Sequence, residues 1–244
     1  MKAVLKHKFN SVRNYYWILG FVCLLTALTP ALGDITYIVK KRDSLSVISR
    51  RYGISVERLQ SYNNLKDKNI ITVGQRLLIP SQKSDPAYLA NLPKGLADIK
   101  ASSRWKSIVI HHSATSVGTV KGMDGAHRRR GMENGLAYHF VIGNGHGIPD
   151  GQIEIGNRWK QQLNGGHLKS ELQNRTSIGI CLVGNFDKTK PTNKQMDSLR
   201  DLVLFLMDRC KLDSSDIKTH QQYNIVSTRC PGKHFPTKTF IRSL

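Results

Sequence analysis

The sequence has 244 residues, of which 39% are hydrophobic, and its 37 Lys and Arg outnumber 17 Asp and Glu to give a formal net charge of +20. This length suits one sizeable core plus a small accessory domain, and the composition excludes a disordered chain. The charge favours an acidic partner, which could be nucleic acid, an anionic membrane or an anionic cell-wall polymer.

Residues 1–33 have the composition of an export signal. They carry four basic side chains and no acidic one, and residues 14–33 are uncharged and rich in apolar side chains. Small residues at Ala31 and Gly33 predict cleavage before Asp34. The alternative is a retained membrane anchor, since about twenty apolar residues can cross a bilayer. We therefore expect a protein of the periplasm, cell envelope or extracellular space, and export argues against nucleic acid as its partner.

Residues 35–81 predict a strand, two helices and a second strand. Tyr37 and Val39 alternate as in a strand, and Asp43 and Ser44 begin the first helical pattern. A second short helical pattern follows, and the last strand ends at Pro80.

Three strings in this segment resemble the LysM family: Tyr37-Ile-Val, Asp43-Ser-Leu-Ser and Gly74-Gln-Arg-Leu-Leu-Ile-Pro80. The resemblance implies binding of glycans that contain N-acetylglucosamine, in a groove beside the first strand–helix turn and the second helix–strand turn. Arg42 departs from the family, which commonly has Gly at this position of the turn. A mere spacer domain is the alternative interpretation.

Residues 82–104 are predicted to be a linker, and residues 105–244 a second domain in which strands alternate with helices. This alternation indicates an α/β fold with a mixed central sheet flanked by helices. Strands are predicted at 105–111, 138–142 and 177–183, and helices at 120–130 and 193–210. Thr192 and Gln195 form a capping box at the start of the long helix.

His111, His220 and Cys230 are candidate zinc ligands. Two imidazoles and one thiolate leave a fourth tetrahedral position open, as in catalytic rather than structural zinc sites. The nine histidines of the whole chain and the three cysteines beyond residue 33 allow many such triplets, so spacing alone leaves open that these are surface or core residues.

Four strings, in order, resemble the zinc amidase family shared by peptidoglycan recognition proteins and the bacteriophage lysozyme-amidase. They are Ile110-His-His-Ser-Ala-Thr115, Ala137-Tyr-His-Phe-Val-Ile142, Ser177-Ile-Gly-Ile-Cys-Leu-Val-Gly184, and His220 through Cys230-Pro-Gly232. The resemblance implies N-acetylmuramoyl-L-alanine amidase activity with one Zn²⁺ per chain. The bond cleaved would join the muramic acid lactyl group to the first L-alanine of the stem peptide.

The same resemblance implies roles for individual residues. The zinc ligands are His111, His220 and Cys230; the catalytic hydrogen-bond donors are Tyr138 and Thr228; the substrate contacts are His167, His112 and Asn185. Cytoplasmic relatives carry a catalytic Glu where this chain has Cys181, and Tyr138 is expected to take over its role. Cys181 and Cys210 are interpreted as small buried hydrophobic residues.

Peptidoglycan is thus the expected partner of both domains, with the protein acting as a monomer. The rival interpretation is a protein that binds wall fragments without cleaving them, and retention of all three candidate ligands speaks against it. The basic run 127–130 is interpreted as a solvated helix face, one arginine of which could contact a stem-peptide carboxylate.

Overall fold

The computed structural model describes residues 34–52, 54, 56–80, 92–223 and 228–244. The predicted export segment, residues 1–33, lies outside the described residues. Among the residues that are described, no helix has the length and apolar character to cross a membrane.

The N-terminal unit has the predicted order of two strands around two helices. Strand β1 (Ile35–Ile38) pairs antiparallel with β2 (Arg76–Ile79), and helices α1 (Leu45–Tyr52) and α2 (Val56–Tyr62) lie between them in the chain. Both helices and both strands contribute to one small core, whose buried residues are Tyr37, Val39, Leu45, Ile48, Ile54, Leu59, Leu77 and Ile79.

The larger unit is an α/β domain around a five-stranded sheet of order β5-β4-β6-β3-β7. Its strands are β3 (Ser107–His112), β4 (Phe140–Ile142), β5 (Ile153–Ile155), β6 (Ser177–Leu182) and β7 (Ile217–Thr219). Its helices are α3 (Val120–Arg128), α4 (Asn157–Lys160), α5 (Glu171–Thr176), α6 (Asn193–Cys210), α7 (His220–Tyr223) and α8 (Thr237–Arg242). All neighbouring strands are parallel except β4 and β5, so the predicted mixed sheet is confirmed.

One face of the sheet packs on the main core, and the other carries the candidate ligands. Ile108 and Ile110 of β3 point into the main core, which α6 covers with Leu199, Leu202, Val203 and Leu206. Because successive side chains of a strand alternate between faces, His111 points to the opposite face. In the parallel register His111 pairs with Cys181 of β6, which therefore shares that face. The face away from α6 is where the candidate ligands gather.

Part of the segment before β3 packs on the main core. Residues 82–104 were expected to be a linker, of which 82–91 lie outside the described residues. In the rest, Leu96 is fully buried in the main core, and Leu92, Ile99 and Ala101 pack against this core. Apolar side chains in this stretch lack helical or strand periodicity, so the pattern did not reveal them. The packing around the main core therefore includes residues at least as far back as Leu92.

Candidate metal centre

The three predicted ligands converge on one point. The ligand atoms of His111, His220 and Cys230 lie within 4.8 Å of one another. The Nδ1 of His111 is 3.8 Å from the Cys230 Sγ. Zn–N and Zn–S bonds of about 2.1 and 2.3 Å at a tetrahedral angle place such atoms about 3.6 Å apart. The donor set and its spacing thus fit a zinc ion.

Two neighbouring parallel strands deliver the histidines to the same edge of the sheet. His111 is near the C-terminal end of β3, and His220 directly follows β7, which pairs with β3 through Ile110 and Thr219. Cys230 returns to this edge because its carbonyl accepts a hydrogen bond of 2.8 Å from the Gln221 amide. Its sulfur lies 3.4 Å from the backbone N–H of the residue after His111.

Strand alternation distinguishes His111 from its neighbour His112. The His112 ring points to the opposite face, where its Nδ1 accepts a hydrogen bond of 3.1 Å from the Phe186 amide. The His112 side chain is buried. It therefore helps to hold the chain that leaves β6, and its predicted contact with substrate stays a prediction.

His167 lies behind His111 and fixes its tautomer. The His167 Nε2 lies 3.4 Å from the Ser177 carbonyl, which can only accept, so Nε2 carries the proton. The neutral ring then offers Nδ1 as an acceptor to the His111 Nε2–H, 3.0 Å away. This leaves the lone pair of His111 on Nδ1, the atom nearest Cys230. The assignment follows from the hydrogen-bonding partners.

The His167 ring fills a space that two glycines leave open. A Cβ added at Gly179 of β6 would lie 2.6 Å from the His167 Cγ, and one at Gly165 would lie 2.5 Å from the ring's Cδ2. The His167 side chain is only 6% exposed. The predicted substrate contact of His167 is untested, and its burial favours the role of holding His111.

Burial keeps His111 and Cys230 in electrically neutral forms. It lowers the pKa of His111 well below the ordinary value, and the neighbouring His167 and His220 lower it further. Burial also raises the pKa of the Cys230 thiol to about 12. Neutral imidazoles can bind a metal directly, whereas the thiol must lose its proton, which a bound cation favours.

Tyr138 closes one side of the cluster. Its ring centroid lies 5.2 Å from that of His111 and 5.7 Å from that of His127. Burial raises the pKa of the Tyr138 phenol well above 10, and the nearby Cys181 and Cys230 add to this effect. The phenol is therefore a hydrogen-bond donor throughout the physiological pH range.

The other predicted site residues lie at the same edge of the sheet. The Thr228 Oγ1 accepts a hydrogen bond of 3.2 Å from the Cys230 amide, so its own proton points elsewhere. Asn185 follows β6 and its side chain accepts a hydrogen bond of 3.1 Å from the Asp187 amide. Cys181 is fully buried on the site face, and Cys210 is partly buried at the end of α6, as expected of small apolar residues.

Sequence reasoning missed His139, whose buried ring holds strand β6 next to the site. This buried residue accepts a hydrogen bond of 2.9 Å from the Gly179 amide, and its Nε2 donates to the Leu163 carbonyl at 3.1 Å. Burial lowers its pKa to about 3, so it stays neutral. Its place within Ala137-Tyr-His-Phe, among apolar residues, was the available signal.

Comparison with known proteins agrees with this architecture. Residues 101–233 match the family described as N-acetylmuramoyl-L-alanine amidase, and residues 37–80 match the LysM domain. The endolysin of Enterobacteria phage T3 is 31% identical over 142 residues, which are 54% of this chain and 84% of that protein. The N-acetylmuramoyl-L-alanine amidase XlyA of Bacillus subtilis is 42% identical over 69 residues, or 28% of this chain.

Coverage differs among these relatives, since the chain spans only 23% of the length of XlyA. Among solved structures, the N-acetylmuramoyl-L-alanine amidase LysC from Clostridium intestinale is 31% identical, with a TM-score of 0.48 over 57% of this chain and 85% of that chain. The amidase match covers more than half of the sequence and contains every candidate ligand. The chain therefore belongs to the N-acetylmuramoyl-L-alanine amidase family and carries a LysM domain before its amidase domain.

Proposed function

We propose that the protein is an exported zinc amidase that hydrolyses the lactyl–L-alanine amide of peptidoglycan, held on its substrate by the LysM domain. The convergence of the His111, His220 and Cys230 ligand atoms within 4.8 Å carries the proposal. A binding protein without catalytic function has no need of this donor set. Export, action as a monomer and the alternative of membrane anchorage stay predictions.

The protein's own residues supply binding and electrostatic stabilisation. A zinc ion at the three ligands supplies Lewis-acid polarisation of the scissile carbonyl and activates a water molecule. Tyr138 keeps its phenolic proton and lies against His111, where it can donate a hydrogen bond to the oxygen that becomes negatively charged. Thr228 is the second candidate donor, because its oxygen is held by the Cys230 amide.

His167 acts as a positioning residue in this proposal. Metal-ligating histidines are commonly oriented by a hydrogen bond at their second ring nitrogen. The hydrogen bonds from His167 to the Ser177 carbonyl and from His111 to His167 would orient His111 in this way, with its Nδ1 lone pair free for the metal. Gly179 and Gly165 leave the space that the His167 ring needs.

The decisive experiment compares zinc content and cleavage of purified sacculi in two cysteine variants. Cys230→Ala should lose both zinc and the release of stem peptides, because the thiolate ligand is gone. Cys210→Ala is the matched control, since this cysteine lies at the end of α6 outside the metal cluster. Full stem-peptide release by Cys230→Ala would end the enzyme assignment.

Tyr138→Phe separates catalysis from metal binding. This variant should keep its zinc but lose most of its activity, since removal of one oxyanion donor typically costs about 100- to 1000-fold in kcat. A wild-type protein that pellets with sacculi and contains zinc, yet releases no stem peptide, would instead identify a binding protein.

A further inference from the structure

Helix α6 is buried on all sides in the middle of its length. Leu199, Leu202, Val203 and Leu206 face the main core. The opposite side is also covered, because Arg200, Asp201 and Leu204 are buried as well. A helix on the outside of a sheet normally leaves a polar face in water. The outer face of α6 therefore has a protein partner.

That partner is the LysM domain. Arg58 of α2 forms an ion pair with Asp201, and the two side chains are 11% and 0% exposed. Arg200 donates to the Ser243 carbonyl at 3.1 Å and reaches the Pro80 carbonyl, just beyond β2, at 3.5 Å. Helix α1 contacts α8 beside these pairs. The interface thus combines a buried ion pair, a hydrogen bond to a backbone carbonyl and a contact between two helices.

The buried ion pair makes the docked geometry specific, because the Asp201 carboxylate needs the Arg58 guanidinium beside it when water is excluded. A carboxylate taken out of water is costly unless charged or hydrogen-bonding groups surround it. Asp201 belongs to the amidase domain, whereas Arg58 lies 143 residues earlier in the LysM domain. Separation of the domains would break the Arg58–Asp201 ion pair and the Arg200 contact with the Pro80 carbonyl.

The docked arrangement leaves the predicted glycan groove open. Lys40, Lys41 and Arg42 in the first strand–helix turn are exposed. Ile70 and Val73, near the second helix–strand turn, are exposed apolar side chains. The docking face and the groove are therefore different surfaces of the small domain.

We propose that the LysM and amidase domains form one rigid unit that holds a glycan strand at a fixed distance and orientation from the metal centre. The glycan part of this inference rests on the proposed function. A flexible tether would tolerate a wide range of spacings between bound sugar and cleaved stem peptide. A rigid unit instead requires a minimum strand length, below which the LysM domain gives no advantage.

The docking is tested on the full chain without any substrate. Arg58→Gln should reduce the folding equilibrium constant roughly tenfold or more, because a buried carboxylate loses a charged partner. Asp201→Asn and the double variant complete a double-mutant cycle. The changes that the two substitutions cause in the free energy of unfolding should be strongly non-additive. The Asp208 and Lys211 pair at the end of the same helix is the control, since its side chains are 86% and 84% exposed and should show no coupling.

Two further measurements address the shape and its consequence. Small-angle scattering of the wild-type protein should match the docked arrangement, and urea unfolding should show one transition for both domains. Cleavage of size-fractionated glycan strands should rise sharply at one strand length in the wild type and gradually in Arg58→Gln. Additivity in the cycle, or a scattering profile of two separated domains, would overturn rigid docking. Docking without wall cleavage would instead refute the proposed function alone.

Discussion

Replacement of His167 by Ala tests the tautomer assignment at the metal centre. The variant removes the acceptor that lies 3.0 Å from the His111 Nε2. With zinc on Nδ1, the His111 proton must stay on Nε2, where it would be buried without its partner. Such a loss costs about 1–3 kcal/mol, or about 5- to 150-fold in affinity. Ligand-orienting partners typically contribute about 10- to 100-fold.

Competition with a chromophoric chelator measures this change in zinc affinity directly. Without metal, His111 can move its proton to the other ring nitrogen, so the hydrogen-bond cost falls mainly on the zinc-bound state. Urea unfolding of the metal-free protein separates the cost of the cavity that Ala leaves behind. His167→Asn is the matched control, because its side-chain oxygen replaces the imidazole Nδ1 and should restore much of the affinity. Zinc affinities within twofold for wild type, Ala and Asn variants would refute the reasoning.

Three other changes have expected outcomes. Gly179→Ala should weaken zinc binding as His167→Ala does, because the added Cβ would lie 2.6 Å from the His167 Cγ. Gly125→Ala is the control: its Cβ has a nearest contact of 3.4 Å, so zinc affinity should not change. Arg42→Gly should raise the free energy of unfolding by up to about 1 kcal/mol in urea, because Arg42 has a φ of 72°, which glycine adopts without strain. Lys41→Gly removes the same charge and should give no such gain. His139→Asn should make stability depend less steeply on pH below 6.5. The pKa of His139 is about 3 in the folded protein and 6.5 in the unfolded chain, so the unfolded chain takes up a proton first as the pH falls. This lowers the free energy of unfolding of the wild type by about 1.4 kcal/mol per pH unit. An unchanged slope between pH 6 and 4 would contradict this last expectation.

The fold was predictable wherever local patterns were strong. The capping box of Thr192 and Gln195 marks the start of α6, and the helix ends at Cys210 as predicted. The strand and helix order of the LysM domain also follows from its own residues. By contrast, β7 has only three residues and lies at the sheet edge, so no periodicity could reveal it.

Within the site, the sequence predicted three candidate ligands that the structure brings together, whereas it gave no indication of how their neighbours pack. The family resemblance implied that His111 is a zinc ligand, and strand alternation explains why its neighbour His112 points to the other face of the sheet. The predicted substrate contact of His167 stays a prediction, and the structure places its buried ring behind His111. Burial of a loop histidine depends on what packs over it, here residues of β6 and the glycine at 165, and no local pattern encodes that.

The position of β7 would give a metal ion bound by these ligands a structural role besides its proposed chemical one. This short edge strand has a neighbour on one side only, β3, and His220 follows it directly. A cation shared by His111, His220 and Cys230 would clamp the C-terminal segment to the middle of the sheet, across 119 residues of chain. Removal of the metal should then increase the rate of amide hydrogen exchange more in the edge strand β7, Ile217–Thr219, than in β6. The three candidate ligands could therefore meet on one ion only after Cys230 has been synthesised.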